Sequence, residues 1–149
     1  MNSYLRKHLV LLSYCAAACL LAACATSRES LRASASRLDD ASSHFSSQIR
    51  NQGDNSRRDH VSRDAEALAK AAHNLDRALE NGTSRDDVDA EYRRVTDGYE
   101  QLHSQLADEG YAGQNQRLLA DFDRVTAAYR SVEAGMGRRI ASARSSTRY

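Results

Sequence analysis

Histidine, carboxylate, serine and tyrosine side chains are the groups of this chain that could do chemistry, and their spacing decides whether they can act together. One Glu-x-x-His occurs, at Glu100 and His103. A di-metal carboxylate bundle needs two such pairs and two further inward carboxylates. Covalent haem needs Cys-x-x-Cys-His, and the sequence has neither that nor a His-x-x-x-His. The acidic pairs Asp39-Asp40 and Asp86-Asp87 have nothing beside them to bury one member and hold the other apart, as paired catalytic carboxylates require. They read as a solvated face and a helix N-terminus favoured by the macrodipole. The serines have no nucleophile elbow, and no Gly-rich phosphate loop is present. Three tyrosines remain. Tyr92, Tyr99 and Tyr129 recur at apolar spacing, and each buried hydroxyl needs a partner. They either reach water at a rim or pair with Ser42, or they line, with Ser42, a semi-polar cavity for a small apolar molecule.

Those side chains are positioned by four segments that share one apolar spacing of four, three, four, three, four. The first is Leu31, Ala35, Leu38, Ser42, Phe45, Ile49; the second Val61, Ala65, Leu68, Ala72, Leu75, Leu79. The third is Val88, Tyr92, Val95, Tyr99, Leu102, Leu106; the fourth Leu118, Phe122, Val125, Tyr129, Val132, Met136. Each is a heptad seam, the a and d positions of left-handed helix packing. In that register His44, His60, His73 and His103 fall outside the core, where inward ligands cannot be, so no metal and no cofactor is expected.

Punctuation falls where the seams stop. Gly53 precedes the caps Asp54, Asn55 and Ser56; Asn81-Gly82 ends the second segment, with Thr83 and Ser84 capping the third; Gly110 and Gly113 separate the third from the fourth. These signals predict helices over 27–52, 56–81, 84–109 and 114–134. Connections this short make neighbours antiparallel, so the expected fold is an all-α, up-down-up-down four-helix bundle. Small residues in the first two seams (Ala35, Ser42, Ala65, Ala72) face large ones in the last two, which lets layers interdigitate. Six serines between Ser34 and Ser47 weaken the first helix. It is expected to pack in the bundle, with a loosely packed stalk as the alternative. An internal echo joins Tyr92-x-Arg94-Val95-Thr96-x-x-Tyr99 to Phe122-x-Arg124-Val125-Thr126-x-x-Tyr129 at a spacing of 30, by duplication or through shared register. The absence of any proline agrees with an all-helical chain.

The amino-terminal stretch has a different logic. Arg6, Lys7 and His8 precede a 15-residue apolar or small run, Leu9 to Ala23, interrupted only by Ser13. That is the layout of a secretory signal peptide, shorter than the roughly 20 residues a spanning helix needs. The run closes on Leu21-Ala22-Ala23-Cys24. In this quartet the chain resembles a bacterial lipoprotein precursor; the alternative is ordinary secretion after an Ala-x-Ala site. The resemblance covers the first 25 residues. It implies cleavage between Ala23 and Cys24, a diacylglyceryl thioether on Cys24 and usually a third acyl chain on the new amino group. Two or three chains make attachment effectively permanent, whereas one of myristoyl length binds only marginally. Ala25 in place of an aspartate implies sorting to the outer membrane.

The remaining expectations follow. From Cys24 onward 19 basic residues meet 20 acidic ones, which gives no basic face for nucleic acid. Cys15 and Cys19 lie in the apolar run, so the mature chain keeps Cys24 alone and forms no internal disulfide. The expected organisation is a signal peptide at 1–23, an anchor and linker at 24–26, a bundle at 27–137 and a basic tail at 138–149. That tail carries Arg138, Arg139, Arg144 and Arg148 without an acid, and lies near anionic headgroups or in solvent. The function expected is non-enzymatic: a lipid-anchored structural or interaction module on the periplasmic side of the outer membrane. Its partners would be the membrane through Cys24 and another envelope protein or a second copy. The alternative is a small-ligand carrier using the tyrosine-lined core.

Overall fold

The computed structural model describes residues 28–51, 56–107 and 116–146, with backbone only at 56–59 and 142–146. The expected signal peptide and linker, Cys24, the segments around Gly53 and Gly110–Gly113, and residues 147–149 lie outside the described residues. The chain is an all-α bundle of four helices: α1, described over 28–50, α2 Ser56–Asn81, α3 Arg85–Ala107 and α4 Gln116–Ser146. Among the described residues no helix is long and apolar enough to cross a membrane.

The up-down order shows in the cross-helix pairs. Between α1 and α2, Arg32 meets Glu80 and Arg50 meets Glu66, so the two run in opposite directions. Between α2 and α3, Gly98 lies against Leu68, while the amides of Gln101 and Gln105 donate to the carboxylate of Asp64. Tyr99 with Thr126 and Tyr129 with Thr96 set α3 against α4. Phe45 with Phe122, and Leu31 with Gly135, close the ring between α4 and α1.

The heptad register holds. Every one of the 24 seam residues is buried except Tyr92 and Tyr99, which are half-buried against the core. Helix α1 is therefore a full member rather than a stalk: Leu31, Leu38, Phe45 and Ile49 are at most 4% exposed. Its serines do what short hydroxyls do inside helices and return to the backbone. Ser34 donates to the carbonyl of Ser30, Ser42 to Leu38 and Ser47 to His44. The propensity they cost is offset by the apolar face they share a helix with.

The turn between α2 and α3 is built from three residues with separate tasks. Gly82 takes φ +64°, a left-handed conformation that spares glycine a Cβ clash. Thr83 caps α2, its amide and its hydroxyl both donating to the carbonyl of Ala78 at 3.1 Å. Ser84 is the N-cap of α3: its Oγ accepts from the amide of Asp87 at 3.2 Å and donates to that carboxylate at 2.7 Å.

The fourth helix departs from expectation. It runs through Gly135 and Gly137 to Ser146 instead of stopping near 134, so the residues read as the beginning of a tail continue the helix. Gly135 is a core position, not a terminator. A Cβ there would come within 2.6 Å of Leu31 Cδ1, so glycine lets α1 and α4 approach closely.

Candidate functional site

The aromatic groups gather on the face where α3 and α4 meet α1. Phe45 and Phe122 contact at 5.4 Å between ring centroids, tilted by 49°. Tyr99 stacks on Tyr129 at 4.1 Å and on Phe122 at 5.8 Å, each within 11° of parallel. His103 leans on Tyr99 and Phe122 from outside.

The hydroxyls find partners within the internal echo. Tyr99 donates to Thr126 Oγ1 at 3.2 Å, and Tyr129 reaches Thr96 Oγ1 at 3.5 Å. The last tyrosine of each copy thus meets the threonine of the other, as a local two-fold requires. Arg94 pairs with Glu91 and Arg124 with Asp121, which are again equivalent positions. Heptad register forces the apolar matches but neither of these polar ones. Tyr92 lies beside Thr96 and Tyr129; burial, then the neighbouring Tyr129 and Glu133, push its phenol up to about 12.

This geometry separates the four residues expected to line a cavity. Tyr99 and Tyr129 are in ring-to-ring contact, with no room for a guest between them. Ser42 does not pair with a tyrosine: its Oγ donates to the carbonyl of Leu38 at 2.6 Å, with Asp39 O at 3.2 Å. Among the described residues Tyr99 and Tyr129 pack ring on ring, and Ser42 turns back to its own helix.

The histidines stand outside the core as the register predicts. His73 Nδ1 is 2.9 Å from Asp39 Oδ2, linking α2 to α1, and His44 Nδ1 is 4.0 Å from Asp121 Oδ1, linking α1 to α4. Asp121 is a polar residue the sequence reading missed. It is 9% exposed, flanks the seam beside Phe122 and is held by Arg124 at 3.2 Å. Its acid-x-x-Arg spacing is the one signal that could have found it. Glu100 is exposed and does not join His103 in an inward site.

An open cleft of about 330 Å³ lies between α1 and α2, lined by Glu29, Arg32, Ala33, Ser36, Asp76 and Glu80. Arg32 is already engaged by Glu80 at 3.1 Å. Burial, then the neighbouring Asp39 and Glu80, raise the Asp76 carboxyl above its ordinary value, against the pull of Arg32 and His73. Among the described residues no three His, Cys, Asp or Glu side chains converge as metal ligands would. Comparison with protein-family models, with curated proteins and with solved structures gives no match.

Proposed function

We propose that this chain is a lipid-anchored helical-bundle module of the bacterial cell envelope, held at the outer membrane through Cys24 and acting without catalysis as a structural or interaction element. The observation that carries this reading is the quartet Leu21-Ala22-Ala23-Cys24, which closes an apolar run four residues before the described part of the bundle at residue 28. Attachment through two or three acyl chains needs no spanning helix. The bundle's surface also bears on the interaction half of the proposal. Among the described residues Ile140 is the one large hydrophobic side chain that is exposed, so a protein partner would meet charged and polar faces rather than an apolar patch. Metabolic labelling with a fatty-acid analogue tests the anchor. The wild type is expected to incorporate label and to stay with membranes after alkaline carbonate washing, and Cys24→Ser to lose both properties. Unlabelled wild type, or a Cys24→Ser variant that remains attached, would overturn the proposal. Affinity purification of the acylated form from detergent tests the interaction role by what accompanies it. The carrier alternative would need room for its guest somewhere other than between Tyr99 and Tyr129, whose rings stack at 4.1 Å.

A further inference from the structure

At one end of the bundle α4 runs past the end of α2 and the start of α3. Leu31 lies against Gly135 and Phe45 against Phe122, so residue 28, the first described residue of α1, is level with about residue 138 of α4. Glu80, near the end of α2, pairs with Arg32, and the Tyr99–Thr126 and Tyr129–Thr96 pairs bring the start of α3 level with about residue 140. Helix α4 continues to Ser146, roughly eight residues past the level of residue 28, or about 12 Å at 1.5 Å per residue. The overhang has its own composition. Arg138, Arg139 and Arg144 stand there, and no acid follows Glu133. Arg138 is exposed, and Ile140, about 200° further round the helix, is 37% exposed.

The same end of the bundle carries the tether. Four residues separate Cys24 from residue 28, and a fully extended chain of that length spans at most about 14 Å. The overhang and the longest reach of the tether are therefore nearly equal. Resting on the anchor reading above, we propose that the end of α4 is a second membrane contact, its arginines meeting the anionic phosphates of the leaflet that holds Cys24 while Ile140 enters the interfacial layer. A helix C-terminus favours arginine for its dipole alone. The dipole accounts neither for an isoleucine left in water nor for a helix that runs past the end of α2 and the start of α3. Near an anionic surface each arginine favours contact about fivefold.

The test uses the full-length protein, processed in a bacterial host and reconstituted by its anchor. Vesicles are phosphatidylcholine alone or phosphatidylcholine mixed with phosphatidylglycerol. With Cys15 and Cys19 replaced by alanine, an environment-sensitive dye is placed at Ile140→Cys or, at the opposite end of the bundle, at Asn51→Cys. The dye at 140 is expected to shift to the blue and to be quenched by headgroup-linked quenchers in the anionic vesicles. High salt and the triple change Arg138→Glu, Arg139→Glu, Arg144→Glu should abolish this, the corresponding triple lysine variant should retain it, and the dye at 51 should stay in water. Acylated protein whose dye at 140 ignores lipid charge would overturn the inference and leave the anchor standing. A chain whose mass shows no acyl group would overturn the anchor, and the inference with it.

Discussion

Tyr92 sits where three of the molecule's hydroxyls crowd together, and its phenol is held protonated by burial first, then by Tyr129 and Glu133. Its folded value of about 12 lies above the roughly 10 of a free tyrosine. The folded state therefore binds this proton more tightly than the unfolded chain does. Its contribution to stability is complete below about pH 10 and is lost as pH rises through 12. Tyr92→Phe is expected to flatten the fall in Tm across that window while leaving the unfolding free energy at pH 7 within about 1 kcal/mol of wild type; an unchanged alkaline profile would contradict this. The sign is the same for Asp76 but the window is acidic: at neutral pH its raised carboxyl is already ionised, at a cost created by burial, Asp39 and Glu80. That cost disappears below the unfolded carboxyl value near 3.9, where the group is protonated in both states. Asp76→Asn should raise stability at pH 7 by less than about 1 kcal/mol, the range for partly solvated charges. Near pH 3 urea unfolding should show the two proteins alike.

At the level of helices, α1 is the element most open to question in the sequence, and its place in the core makes a firm prediction. Phe45 is fully buried and touches the ring of Phe122. Phe45→Ala should cost about 3–5 kcal/mol in denaturant unfolding, in a single transition for all four helices. A loss under 1 kcal/mol, or a separate early transition, would mean that α1 is only draped on a three-helix bundle. The four helices and their inward faces were legible because burial of one stripe imposes a period that local sequence must repeat. The end of α4 was not. Gly135 and Gly137 look like stop signals in one dimension, and only the approach of Leu31 shows that Gly135 is a packing residue. The burial of Asp121 was likewise hidden, since it depends on α1 and α4 meeting beside Phe122. The echo between α3 and α4 was visible as text, but the crossed tyrosine–threonine pairs arise only when the copies face each other.

For the whole molecule, the described interior is packed with apolar side chains and the described exterior is polar, and the proposed function rests on position rather than on a pocket. The proposed account attaches one end of the bundle to a bilayer through Cys24 and presents mixed-charge helical faces to what lies beyond. A protein held this way gains effective concentration near the surface without any catalytic group. The measurement that tests this most directly is the intact mass of the protein extracted by detergent from washed membranes. The account predicts a chain beginning at Cys24 and carrying two or three acyl groups. A chain that keeps residues 1–23, or one that begins after Cys24 without acyl mass, would contradict it.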